Sequence, residues 1–178
     1  MKKIPLTQDQ FAIVDDADYE WLSQFKWCAD KRVRTFYVIR SQRIKGKNFF
    51  IYMHRLILGL ERDDKREADH VNGDGLDNRR SNLRIVTHRQ NLWNLSAQSE
   101  RGSSRFKGVS WYKRDKKWRS GIRYNDQLIH LGYFDDEIDA AKAYDVKAKE
   151  LFGEFARLNF DLPVTDFLEA KTRARGIK

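Results

Sequence analysis

The hydrophobic pattern of the chain changes period several times, and each change marks an element. Phe11-Ala12-Ile13-Val14 is an apolar run that predicts a short strand. Asp15 or Asp16 behind it can cap a helix carrying Trp21, Leu22 and Phe25 at helical spacing, through about Phe25. Residues 35–40 and 48–52 are aromatic and β-branched with Lys45-Gly46-Lys47 between them, the pattern of a hairpin with a somewhat long loop. Residues 53–59 read as a short apolar helix closing at Gly59. The run E-R-D-D-K-R-E at 61–67 is a solvated charged connection to which no chemistry is assigned. Strands are expected at 68–71 and 83–86, with the turn dipeptides Asn72-Gly73 and Asp74-Gly75 bending the chain between them. Thr87 and Gln90 then match a capping box that starts a helix at about His88.

The remaining third has its own rhythm. Residues 96–104, S-A-Q-S-E-R-G-S-S, lack apolar content and read as a linker, flexible or ordered only on DNA. Three strands follow at 106–112, 118–124 and 128–134, then a helix capped by Asp135 or Asp136 that runs to Phe152 and stops at Gly153. Its apolar face (Ile138, Ala141, Tyr144, Ala148) would cover one side of an antiparallel sheet whose inner positions include Trp118, Ser120 and Ile122. Period-2 alternation leaves Ser110, Tyr112, Arg119 and Arg123 on the other side, together with Lys107. The fold class is therefore α+β, in five stretches: an N-terminal strand, helix and basic hairpin region at 1–60, a strand–loop–strand–helix core at 61–95, the linker at 96–104, the sheet-plus-helix unit at 105–160 and a basic tail at 161–178.

Charge changes the picture. The 178 residues carry 35 Lys and Arg against 26 Asp and Glu, a net charge of +9, which favours a polyanionic partner. Aromatic content of 13% argues for folded cores rather than a disordered basic tail. A lone cysteine, Cys28, excludes an internal disulfide and a cysteine-rich zinc site. No stretch has the roughly 20 apolar residues of a membrane span, and the first residues, M-K-K-I-P-L-T-Q-D, lack a signal-peptide run, so a cytoplasmic protein is expected. The hairpin holds Arg34, Arg40, Arg43, Lys45 and Lys47, and a two-stranded ribbon has the right width for a major groove.

The densest chemistry lies between Ala68 and Trp93. Asp69 supplies an oxygen ligand and His70 a base that is neutral near pH 7. Asn82 supplies an amide able to orient that base, with Asn78 and Asp77 as rivals that the loop can use for its own turns, and Asn91, on the first turn of the following helix, supplies a second metal ligand. This set suits phosphodiester hydrolysis assisted by one hard cation. Arg79, Arg80 and Arg84 add positive charge beside it that can clamp phosphates.

His54-Arg55-Leu56, Asp69-His70, the run N-G-D-G-L-D-N-R-R-S-N-L-R and Gln90-Asn91 together resemble the HNH (His-Me finger) nucleases of the phage and intron homing type. The resemblance implies a ββα-metal nuclease in which His70 is the general base, Asn82 holds its ring, and Asp69 and Asn91 bind the cation. It also implies cleavage of double-stranded DNA to 5′-phosphate and 3′-hydroxyl ends in a phage-infected or bacterial host cell. The last ligand is Asn91 where histidine is common in the family, which favours Mg²⁺, with Mn²⁺ able to substitute, over zinc. F-K-G-V, W-R-S-G-I-R, L-G-Y-F-D, A-A-K-A-Y-D and the closing L-N-F resemble the plant ethylene-response-factor (Apetala-type) DNA-binding domain. That resemblance implies a sheet reading the major groove through Lys107, Ser110, Tyr112, Arg119, Arg123 and His130. Ser110, Tyr112 and His130 stand where the plant domain has arginine or tryptophan, so its target sequence does not carry over. No obligatory protein partner is evident. Two other readings remain open at this point: a non-catalytic DNA-binding regulator, and an RNA-binding nuclease.

Overall fold

The computed structural model describes residues 1–95 and 102–160; the expectations for most of the linker and for the tail from 161 onward lie outside them. The chain is mixed α+β and divides into two compact units, Met1–Leu92 and the part from Trp93 onward. Among the described residues no helix is long and apolar enough to cross a membrane.

The first unit opens with β1 (Lys2–Pro5) paired antiparallel to β2 (Phe11–Val14), followed by α1 (Asp16–Leu22). A three-stranded sheet is built from β3 (Cys28–Lys31), β4 (Phe36–Ile44) and β5 (Lys47–Tyr52), in that order. The β4–β5 connection is tighter than the somewhat long loop expected. Ile44 pairs with Lys47, and Lys45 and Gly46 both take positive φ (47° and 77°), the geometry of a two-residue hairpin turn. After α2 (Met53–Ile57) come β6 (Glu67–His70) and β7 (Leu83–Val86), paired antiparallel, and then α3 (His88–Asn94). The capping box at the start of α3 is reciprocal: Thr87 N donates to Gln90 Oε1 at 2.9 Å and Gln90 N donates to Thr87 Oγ1 at 3.3 Å.

One apolar core runs through this unit. Val14, Leu22, Val38 and Met53 are buried with Leu83, so 1–60 and 61–92 share a core rather than packing separately. The loop between β6 and β7 is also fastened to the N-terminal strands. Ile13 N donates to Leu76 O at 2.9 Å, Asn78 N donates to Ile13 O at 2.8 Å, and Gly75 N donates to Thr35 Oγ1 at 3.0 Å. Gly75 is required there, because a Cβ would run into the carbonyl oxygen of Phe36.

The second unit is a sheet of β8 (Val109–Tyr112), β9 (Lys117–Tyr124) and β10 (Gln127–Phe134), all antiparallel with β9 central, covered by α4 (Glu137–Phe152). Asp136 caps α4 by accepting from Ile138 N and Asp139 N, and Gly153 ends it at φ 56°. Ile122, Tyr144, Ala148 and Phe152 form the core, with Trp93 stacked on Phe152 at 4.7 Å. Ser103 and Ser104, placed in the linker by composition, bond to Trp111 N and Phe106 N and belong to this unit.

Candidate functional site

Period-2 geometry sends Asp69 and His70 to opposite sides of β6. On one side stands His70, 4% exposed, its ring edge-on to His54 at 4.9 Å and to Tyr37 at 5.8 Å between centroids. Asn78 meets the ring: His70 Nε2 lies 3.4 Å from Asn78 Oδ1. Asn78 is fully buried and its Nδ2 donates to the carbonyls of Gly75 (3.3 Å) and Leu76 (3.1 Å), so its oxygen must be the atom facing the imidazole. The long bond therefore places the ring proton on Nε2 and makes Nδ1 the basic nitrogen. Burial pulls the His70 pKa below its ordinary value, opposed by the Asn78 bond and by the charges of Asp69, Asp74 and Asp77. The ring is thus neutral at pH 7.

The expected partner of His70 was Asn82, and the structure differs. Asn82 clamps the loop instead. Its Oδ1 accepts from Asn72 N at 3.0 Å, and its Nδ2 donates to Asn72 Oδ1 (3.0 Å) and to Asp77 O (2.8 Å). The reason is position: Asn82 ends the 3-10 turn (Arg80–Asn82) directly across from the first loop residues, where two strands must be held together.

On the other side of β6, Glu67 and Asp69 share a face. α3 meets this face: Asn91 Nδ2 donates to Glu67 Oε2 at 2.6 Å, and His88 Nδ1 lies 2.7 Å from Glu67 Oε1. Burial alone would raise the Glu67 pKa, but the bonds from Asn91 and His88 outweigh it and bring the pKa below the usual value. Asp69 is buried and bound by the residue opposite it, Arg84, whose Nε and Nη2 lie 2.8 and 2.7 Å from Asp69 Oδ2. Among the described residues no three His, Cys, Asp or Glu side chains cluster as a metal cage. The groups on this face that could serve a metal are the Glu67 and Asp69 carboxylates and the Asn91 amide, which now turns its nitrogen to Glu67. They fit a hard cation of the Mg²⁺ kind, which is commonly bound by one or two carboxylates with substrate phosphate oxygens completing its shell. Glu67 was not singled out from the sequence, although its spacing of two from Asp69 on a strand is the signal that places it there.

Four of the basic residues expected to touch DNA beside this site or on the hairpin are otherwise engaged. Arg79 lies on Asp77 at 2.6 Å, Arg84 on Asp69, and Arg80 makes a two-pronged pair with Asp18 at 2.8 Å for each prong. Arg40 turns inward, its guanidinium 4.2 Å from the Phe25 ring. Nearby carboxylates and aromatic faces capture these side chains because the loop folds against α1 and the sheet. Arg34, Arg43, Lys45 and Lys47 are exposed. In the second unit Ser110, Tyr112, Arg119, Arg123 and His130 share the sheet face opposite α4, as the pairings Ser110↔Arg119 and His130↔Gly121 dictate. Lys107 does not join them. It precedes β8, and its Nζ donates to Trp93 O at 2.6 Å.

Comparison with known proteins bears on the same segment. The HNH endonuclease family profile matches residues 52–92, which contain α2, β6, β7 and most of α3. The chain is 29% identical over 149 residues to an uncharacterised HNH endonuclease of Acanthamoeba polyphaga mimivirus, covering 84% of this chain and 74% of that protein. It is 30% identical over 89 residues to Protein 3.8 of Escherichia phage T7, covering 50% of this chain and 72% of that protein. A 60-residue stretch is 43% identical to an APETALA2-like protein 2 of Oryza sativa, but this is 34% of the chain and only 14% of the plant protein. No solved structure gives a significant match. The segment that carries Asp69, His70 and Asn91 is thus an HNH endonuclease domain, within a chain similar to viral proteins of which one is described as an HNH endonuclease.

Proposed function

We propose that the protein is a site-specific DNA endonuclease of the homing type that hydrolyses phosphodiester bonds with one divalent cation. The observation that supports this most is the meeting of α3 with the Glu67–Asp69 face of β6 while His70, neutral and tied to Asn78, occupies the neighbouring position on the strand. In this reading His70 Nδ1 takes the proton from the attacking water, and Asn78 keeps the other ring nitrogen protonated. Asp69 and Asn91, with Glu67 beside them, would hold the cation. A bound Mg²⁺ would stabilise charge developing on the phosphate and the leaving oxygen. Asn82 keeps the loop closed, so that His70 and Asp69 stay at fixed positions. The exposed hairpin cations Arg43, Lys45 and Lys47 and the Arg34 side chain contact backbone phosphates. The second unit serves as an Apetala-type reader, with Arg119 or Arg123 reaching a guanine edge from the face that also carries Ser110, Tyr112 and His130.

A second reading, binding without cleavage, is favoured by one observation: Arg84 already holds Asp69, and His70 is nearly covered. A supercoiled-plasmid assay separates the two. Cleavage with Mg²⁺ or Mn²⁺ that stops in EDTA and in His70→Ala supports the nuclease. Specific binding with no metal-dependent cutting of any DNA, candidate insertion sites included, supports the regulator.

A further inference from the structure

The β3–β4–β5 sheet has two faces, and the first is packed from Ala29 and Val38 as far as Phe49, with Ile44 beyond it exposed. Val38 and Ala29 turn the first into the core, Arg40 continues it over Phe25, and Phe49 ends it under the guanidinium of Arg62 at 4.1 Å. The cross-strand register puts Tyr37 and Arg43 of β4 on the second face with Tyr52, Phe50 and Asn48 of β5, since Ile39 opposes Tyr52, Ser41 opposes Phe50 and Arg43 opposes Asn48. At one end this face closes on the nuclease histidines. Tyr37 lies 5.8 Å from His70 and 5.6 Å from His54, and Tyr52 lies 5.6 Å from His54 and 6.4 Å from Tyr37. At the other end it runs out along the hairpin, where Phe50 is 66% exposed. Asp30, opposite Tyr37, is the acid that the strands bring to this face, and Arg32 pairs with it at 2.7 Å; beyond it the charge has one sign, since residues 31–60 hold eight Lys and Arg and no Asp or Glu.

We propose that this face is a DNA track leading out of the nuclease site, on which Phe50 wedges against a base step near the scissile phosphate. The proposal rests on the nuclease reading and names the substrate contact of that same site. A large apolar side chain on a projecting ribbon, ringed by cations and free of acids, has the chemistry of a wedge that unstacks one step of a duplex while the ribbon holds its phosphates. A protein surface would not call for so uniform a positive rim. Same-face residues two apart on a strand are roughly 7 Å apart, so Phe50 lies within roughly 20 Å of His70, or about six nucleotide steps.

The test uses duplexes that carry the mapped cut site with 2-aminopurine placed at each of the positions within that range, with the full-length protein in EDTA. One position should brighten on binding. Phe50→Ala should abolish that signal, weaken binding about tenfold and leave the melting temperature unchanged, whereas Phe50→Leu should keep much of the signal. A second readout needs no substitution. Cys28, the only cysteine, is exposed and sits on this same face opposite Ile39, so saturating duplex should slow its reaction with a maleimide. Unchanged fluorescence and affinity in Phe50→Ala, or Cys28 labelling that ignores bound duplex, overturns the track. Cutting that survives His70→Ala ends the nuclease reading, a result distinct from either of these.

Discussion

Arg80 offers a sharp separation between a structural and a DNA-contacting cation. Its guanidinium meets both oxygens of Asp18 at 2.8 Å, while its backbone N–H donates to Asp15 Oδ2 at 2.8 Å. The two partners are unequal: the side chain of Arg80 is 56% exposed and that of Asp18 is 4% exposed. Removing Asp18 frees a guanidinium that can turn into water, so Asp18→Ala should cost only about 1 kcal/mol, close to the value of an exposed pair. Removing Arg80 leaves a buried carboxylate with the Trp21 indole N–H at 3.2 Å, and here the cost should reach about 2–3 kcal/mol, short of a fully buried pair because water can enter where the arginine was. For a unit of this size that is roughly 10–20 °C in melting temperature. The asymmetry has a pH signature. The Arg80 bond is the largest influence on Asp18 and holds its pKa below the ordinary value, so the stabilisation is present above about pH 3.9 and is lost as pH falls through the folded value. The difference between wild type and Arg80→Ala should therefore be full at pH 7 and shrink on acidification, as read from urea denaturation followed by tryptophan fluorescence. A variant with unchanged stability, and with a DNA-binding salt slope reduced by about 0.9, would show instead that Arg80 binds phosphate.

Three further outcomes follow from the same packing. His54 is 6% exposed, its Nδ1 is buried with no hydrogen-bond partner among the described residues, and burial lowers its pKa to about 3, with the charges of His70 and Arg55 adding to this. Its folded pKa lies below the unfolded one, so stability should fall as pH drops from about 6.5 towards 3, by up to about 5 kcal/mol, and His54→Phe should flatten the dependence; parallel urea-midpoint curves for the two proteins would contradict this. Gly75→Ala should cost about 1–3 kcal/mol and lower the cleavage rate, because the loop must lift off Phe36 to admit the methyl, and a melt matching wild type would count against that close approach. Asp145 is buried and accepts from Asn159 N at 2.8 Å, Asn159 Nδ2 at 2.9 Å and Phe160 N at 3.0 Å; Asp145→Ala should expose the second unit to hydrogen exchange at a cost of about 3 kcal/mol while leaving the amides of β6 and β7 protected.

What could be read from the sequence follows from the range of the forces involved. The α4 helix, the capping box at Thr87 and the strands at 83–86 and 118–124 depend on local periodicity and caps, and the structure has them within a few residues of expectation. The helix after Asp16 stops at Leu22 rather than Phe25, and Trp27, whose indole N–H donates to Leu22 O at 2.8 Å, marks where the chain turns away. Strands β1 and β3 were not legible. Lys2-Lys3-Ile4-Pro5 and Cys28-Ala29-Asp30-Lys31 have no strand pattern of their own and are extended because β2 and β4 pair with them. At the site, residue type and spacing single out Asp69, His70 and Asn91 as candidates, but do not say which asparagine meets the imidazole. Asn78 and Asn82 both sit in a short loop, and the choice between them is made by carbonyls at Gly75, Leu76 and Asp77 whose directions are fixed only when the loop closes on Ile13.

The same long-range pairing decides where charge is available for DNA. Counted along the chain, the arginines at 79, 80 and 84 make the nuclease loop look like the most basic part of the protein. Folded, each is matched to a carboxylate, and the partner of Arg80 lies 62 residues away. The longest acid-free run of exposed positive charge in the first unit goes from Lys31 through the hairpin to Lys47. On the proposed nuclease reading, this run would draw a phosphate backbone first to the ribbon and then along it towards His70, rather than directly onto the loop. Neutralising Arg43, Lys45 and Lys47 together should therefore slow association more than any change at Arg79 or Arg84, which would act through the shape of the loop and the hold on Asp69.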